Sequence, residues 1–208
     1  MHSAVYQDLP WVGVRAGARA ESTRTRWDKM RPLIDEHDVR SALDVGANTG
    51  WFAFSLAERG VPTIALERMA RHIRIGLYVR KKAGLCASVS FLVMDVTPEN
   101  VDFLPSAECV IFLSIWHHVV REHGLEGATA VLAGLWARTS KLLFFETGEA
   151  EMPAAYGLPP MTPQPKVWLA KYLAETCPDS RVVPLGLHVA LDSDNAPARR
   201  NLFALVRS

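Results

Sequence analysis

Five near-continuous apolar runs punctuate the chain, at 41–46, 62–67, 88–94, 108–114 and 140–146. Runs of this length read as parallel strands covered on both faces. Helical patterns lie between or after them at 49–59, 69–83, 125–137 and 165–176, with a shorter one near 98–103. Two more strand patterns, 181–190 and 201–207, flank the polar stretch Asp192-Ser193-Asp194-Asn195-Ala196-Pro197. That stretch is too short for a helical crossover, so the last two strands pair as an antiparallel hairpin. The alternation predicts an α/β fold: a Rossmann-like seven-stranded mixed sheet, five parallel strands plus a C-terminal hairpin, with helices on both faces. One domain is expected over 1–208, with 1–40 a helical, lid-like extension and 41–208 the core. The prolines of 152–165 forbid regular structure and make a semi-rigid loop after the fifth strand.

The turn after the first strand carries the strongest chemical signal. Asp44-Val45-Gly46-Ala47-Asn48-Thr49-Gly50 sits between a buried strand and an amphipathic helix. Gly46 lets the backbone turn sharply and approach a ligand, and Asp44 can attract an ammonium group. A second glycine is missing at Asn48, so the spacing departs from the one that dinucleotide pyrophosphates need. The cofactor that fits is S-adenosylmethionine (SAM). Glu67, ending the second strand, is placed for the ribose hydroxyls, although a carboxylate there also suits a helix N-terminus. Asp95 is placed for the adenine amino group, with Met94 or Val96 against the ring. Ser114, ending the fourth strand, completes the cofactor set of Asp44, Gly46, Asn48, Gly50, Glu67, Asp95, Val96 and Ser114.

An open α/β sheet binds ligands beyond the carboxyl ends of its strands, which directs attention to Ser114-Ile115-Trp116-His117-His118. Two adjacent histidines are poorly explained by packing. A methyl-accepting hydroxyl must lose its proton, and neutral imidazole takes one near neutral pH. His117 is the first choice as base and His118 the second. Glu146, ending the fifth strand, is placed to orient an imidazole or hold a substrate hydroxyl. Trp116, Glu149 and Tyr156 are the candidate acceptor contacts. The histidines and Glu146 also admit a divalent ion such as magnesium, though their spacing matches no standard metal motif.

Composition narrows the partners. The 208 residues carry a net charge of +1, which gives no global attraction to nucleic acid. Cations do gather at Arg15, Arg19, Arg24, Arg26, Lys29 and Arg31 and again from Arg68 to Lys82, and a run of this kind is ordinarily a solvated face. Cys86, Cys109 and Cys177 are widely spaced and support no disulfide framework, so a reducing cytoplasm is expected. The first residues show no secretory pattern, and no apolar run approaches membrane-spanning length.

The run Leu113 to Val120, followed by His123-Gly124, resembles the methyltransferase domain of bacterial O-antigen chain terminators, which cap polymannose chains. The stretch Leu142 to Tyr156, with Glu146, Glu149 and Glu151, is similar to that family too, as is the glycine turn. More loosely, the same features resemble wobble-uridine tRNA carboxymethyltransferases. The resemblance covers roughly residues 41–157 and implies a class I SAM-dependent methyltransferase. No kinase portion accompanies it here, so the size fits a stand-alone sugar methyltransferase better, such as those capping methylmannose oligosaccharides at O1. The expected function is O-methylation of a saccharide hydroxyl, a mannoside first. RNA or another small molecule is the rival acceptor, and a catalytically silent SAM-binding protein the rival class.

Overall fold

The computed structural model describes residues 7–15, 19–191 and 197–207, without the side chains of residues 19, 20, 191 and 197. The first six residues, the Arg19 side chain and the connection over 192–196 therefore lie outside the described residues. The chain divides into two compact units, Met1–Asp95 and Val96–Ser208.

The first unit contains α1 (Arg19–Glu36), β1 (Ala42–Val45), α2 (Trp51–Ala57), β2 (Thr63–Glu67), α3 (Ala70–Lys82) and β3 (Val89–Val93). β1 pairs parallel with β2, and β2 parallel with β3. All four residues of β1 are buried, as its apolar run requires, whereas Ser90, Leu92 and Val93 of β3 are exposed. The expectation that all five parallel strands are covered on both faces fails at β3 because it is an edge strand. Every residue of α2 is buried. The N-terminal extension is helical in α1, but residues 7–14 are built into the unit. Leu9 bridges to Val14 and packs with Phe54, Ala65, Val79 and Val89, while Trp11 and Phe91 lie against that cluster.

The second unit contains β4 (Ala107–Leu113), α4 (Trp116–Ala137), β5 (Thr139–Glu146), α5 (Pro165–Thr176), β6 (Ser180–Leu191) and β7 (Pro197–Arg207). β4 and β5 are parallel, and β7 runs antiparallel to both β5 and β6. α4 begins at the paired histidines and breaks at Gly124, where φ is 71°. The proline-rich segment after β5 holds one 3-10 turn, Ala154–Tyr156. The seven strands form the expected mixed sheet, in the order β3-β2-β1-β4-β5-β7-β6.

Gly50 shows how tightly the first unit is closed. Its φ is 93°, and a Cβ there would stand 2.6 Å from Phe91 Cζ. Both left-handed strain and overpacking penalise a side chain at this position. Gly50→Ala is expected to lower stability by about 2 kcal/mol or more in urea denaturation. A variant as stable as the parent would show that the turn relaxes freely.

Candidate functional site

In the first unit, three residues of the turn after β1 adopt left-handed conformations: Gly46 (φ 77°), Asn48 (φ 54°) and Gly50 (φ 93°). Asparagine tolerates this region better than most side chains, which accounts for a working turn without a second glycine. The amides of Gly46 and Ala47 both donate to Leu66 O at 2.9 Å, tying the turn to β2. Glu67 secures it further. Its Oε2 accepts the Asn48 amide at 2.9 Å and its Oε1 the Met69 amide at 2.8 Å. Each carboxylate oxygen keeps a second lone pair, so Glu67 retains acceptor capacity for ribose hydroxyls.

Asp44 is the most perturbed carboxyl of this unit. It is buried, its Oδ2 has no hydrogen-bond partner among the described residues, and burial raises its pKa from 3.8 to about 7. The nearby Glu67 charge acts in the same direction, while the Ala53 amide and Arg26 oppose it. A buried acceptor left unpaired costs free energy that a ligand's donor recovers. The ammonium of SAM is such a donor, so Asp44, Glu67 and the left-handed turn fit that cofactor. Asp95, expected at the adenine, is more open and lies 3.6 Å from Arg68.

Two supports of this turn escaped the sequence reading. Gln7 Oε1 accepts the Thr49 hydroxyl at 3.0 Å and lies 3.4 Å from the Trp51 amide. Arg26, assigned by its spacing to a solvated cationic face, is buried, donates to Ser22 O and sits 5.6 Å from the Phe52 ring centre. A glutamine forty residues upstream carries no local signal for this role. The amphipathic period of α1 places Arg26 on the same face as Ser22 and Met30.

In the second unit, Ser114 leaves β4 with φ 60°, a strained value for a residue with a side chain. Its amide donates to Glu146 O at 2.9 Å and its hydroxyl to Glu146 Oε2 at 3.0 Å. Ser114 was expected in the cofactor set, yet its hydroxyl is turned to this carboxylate. Glu146 is fully buried, and Arg200 Nη1 lies 3.2 Å from its Oε1 while His188 Nε2 lies 3.6 Å from its Oε2. Arg200 also donates to Glu151 at 2.7 Å. Burial works against the Arg200 charge, but Glu146 and Glu151 raise its pKa on balance. Arg200 and His188 were missed because on β6 and β7 they look like ordinary polar alternation. Only the hairpin register, which pairs His188 with Arg200, sets them side by side.

The two histidines lie in the first turn of α4 with ring centroids 4.3 Å apart, and both face Tyr156 at 5.7 and 5.6 Å. Arg121 stacks over Tyr156 at 5.0 Å. His117 is buried, and its Nδ1 accepts the Gly148 amide at 2.9 Å with the Thr147 hydroxyl at 3.2 Å. Burial foremost, then the neighbouring His118 and Arg200, push its pKa down from 6.5 to about 3. Glu146 pulls the other way but does not prevail. Nδ1 is thus oriented by a backbone amide and a hydroxyl, and not by Glu146 as the spacing suggested. Its lone pair is committed, which fits poorly with His117 as first-choice base.

Other expected acceptor contacts are engaged within the unit. Trp116 is fully buried, donates to the Tyr172 hydroxyl at 3.1 Å and packs on Phe145. Glu149 accepts the Asn201 amide at 2.5 Å and its side-chain nitrogen at 2.9 Å, fastening the loop after β5 to β7. Both side chains are thus occupied by contacts within the unit, whereas Tyr156 lies beside the histidines. Val96 is buried. Among the described residues, no group of three His, Cys, Asp or Glu side chains is placed to hold a metal ion, and no helix is long and apolar enough to cross a membrane.

No protein-family model matches the chain, and no curated protein matches it by sequence. Solved structures do match by shape. The chain resembles the bifunctional kinase-methyltransferase WbdD with a TM-score of 0.70 and 22% identity, over 97% of this chain and 43% of that one. It also resembles magnesium protoporphyrin IX methyltransferase (ChlM) from Synechocystis PCC 6803, solved with bound SAM, at TM-score 0.66 and 13% identity, covering 91% of this chain and 81% of that one. EvdMO1 follows at TM-score 0.60 and 17% identity, over 94% of this chain and 43% of that one. The chain spans less than half the length of the WbdD chain it matches. The fold is one that this chain shares with the methyltransferases WbdD and ChlM.

The raised pKa of Asp44 makes stability depend on pH. Between 3.8 and about 7 the folded unit holds a proton that the unfolded chain has released. Stability from this group is therefore fully present below 3.8 and is lost as pH rises through about 7. That displacement corresponds to roughly 4 kcal/mol at most. Asp44→Asn is expected to gain on the parent progressively from pH 4 to pH 8 in urea titrations. Parallel stability curves would place the proton elsewhere.

Proposed function

We propose that the chain is a SAM-dependent O-methyltransferase whose acceptor is a saccharide hydroxyl, a mannoside first. The observation that carries the reading is the cluster of His117, His118 and Tyr156 at the start of α4. An aromatic ring suits the apolar face of a sugar, and an adjacent imidazole suits a hydroxyl proton. Bound, SAM supplies an electrophilic methyl group on its sulfonium sulfur. In this reading Asp44 accepts the ammonium of the cofactor and Glu67 its ribose hydroxyls. His118, half-buried in the first turn of α4, would take the proton that the acceptor hydroxyl loses on methylation. Arg121 donates to the Tyr156 hydroxyl at 3.3 Å and steadies the ring against which the acceptor packs.

The cationic runs favour a sugar over RNA, because two of their members serve the fold. Arg26 is buried, and Arg80 donates to Val89 O at 2.8 Å. Phosphate contacts would impose a steep salt dependence that a neutral sugar lacks.

A screen of mannosides and RNA with labelled SAM tests the reading. Transfer to a short mannoside is expected to change less than a few-fold between ~50 and ~200 mM salt, and His118→Ala is expected to lower kcat by ~10²–10⁴. Transfer to RNA alone, abolished by that salt step, would replace the sugar with nucleic acid. Tight SAM binding without transfer to any acceptor would favour the silent binding protein.

A further inference from the structure

His117 combines an unusual set of constraints. Its ring is buried, it lies beside the proposed base, and its Nδ1 faces the Gly148 amide. A backbone amide is a donor and nothing else, so the nitrogen it meets must present a lone pair. With Nδ1 unprotonated, a neutral ring carries its hydrogen on Nε2. Glycine permits the arrangement: a Cβ at Gly148 would stand 2.4 Å from Met152 and 3.3 Å from His117 Cγ, so a side chain there would obstruct the close approach of the amide. His118 and Arg121 on the same helix and Arg200 on β7 oppose a second proton on the ring, and of the groups that act on it Glu146 on β5 alone favours one.

We infer that His117 is a fixed hydrogen-bond donor of the acceptor site, the neutral Nε2–H tautomer set by the Gly148 amide, and that it transfers no proton during turnover. This rests on the methyl-transfer reading for its purpose but not for its tautomer. The chemistry also says which oxygen it binds. A donor on the attacking oxygen would hold back the electron pair that forms the new bond. Its place is therefore on a neighbouring oxygen of the acceptor, where it fixes the reacting hydroxyl toward His118 without weakening it. The site thereby selects acceptors bearing a second oxygen with a free lone pair beside the methylated one, as the vicinal hydroxyls of a sugar do. A lone alcohol leaves the donor unpaired.

Two measurements on the full chain test this. Long-range nitrogen–proton NMR of the histidine-labelled protein is expected to show His117 protonated at Nε2, bare at Nδ1, and unchanged from pH 5 to pH 8. A hydrogen on Nδ1, or titration within that range, would overturn the assignment whether or not an acceptor is known. In kinetics with a mannoside acceptor, His117→Gln keeps an N–H near the Nε2 position. It is expected to stay within about tenfold of wild-type kcat/KM, with the acid limb of the pH profile in place. His117→Ala is expected to lose about 10–100-fold, mostly in acceptor KM. Equal inactivation by both substitutions, with the acid limb gone, would make His117 the base. An Nε2–H ring in a protein that methylates no acceptor would sink the methyl-transfer reading and leave the tautomer standing.

Discussion

A chain leaving a buried strand must turn at once and must still satisfy the amides that it takes out of the ladder. Both units meet this constraint in the same way. Gly46 after β1 and Ser114 after β4 each turn through the left-handed region. In each case a glutamate ending the next parallel strand receives what the turn exposes. Glu67 accepts the Asn48 amide, and Glu146 receives the Ser114 amide on its carbonyl and the Ser114 hydroxyl on its carboxylate. A carboxylate suits the task because it brings four lone pairs and no donor, so several N–H or O–H groups converge on it without conflict.

The two glutamates differ in how their burial is compensated. Glu67 relies on backbone amides, which are uncharged and immobile. Glu146 has no contact with solvent and relies on Arg200, itself shared with Glu151. Burying an ion costs several kcal/mol, and a charged partner returns this only when the remaining polar atoms are paired as well. Removing Arg200 would therefore leave an uncompensated buried charge in the second unit, a greater loss than the pair itself contributes.

Most of the fold was legible because buried parallel strands and amphipathic helices write their periods directly into the chain. β2, β5 and α5 fall within a residue of their expected bounds, whereas α4 ends at Ala137 as expected but starts at Trp116 instead of 125, with a break at Gly124. In the candidate sites, Asp44, Gly46 and the paired histidines stand out by residue type, and the structure places Asp44 in β1, Gly46 in the turn that follows and the histidines together in the first turn of α4. Contacts that depend on a distant partner were illegible. Gln7 braces a turn forty residues away, Glu149 belongs to Asn201 on β7, and the tautomer of His117 is set by a backbone amide that no side-chain pattern encodes. Trp116 neighbours the histidines in the chain, yet successive helical residues diverge by ~100°, and its ring is turned into the core.

The six tryptophans divide evenly. Trp11, Trp27 and Trp51 gather in the first unit, with Trp51 directly after Gly50 and 6.1 Å from each of the other two. Trp116, Trp136 and Trp168 belong to the second. The protein thus carries two separate optical reporters. With phenylalanine in place of one set, intrinsic fluorescence reads the first unit around Trp51, and with the other set replaced it reads the second unit around Trp116. The order in which the two halves respond to a ligand, or come apart under denaturant, becomes visible without any label.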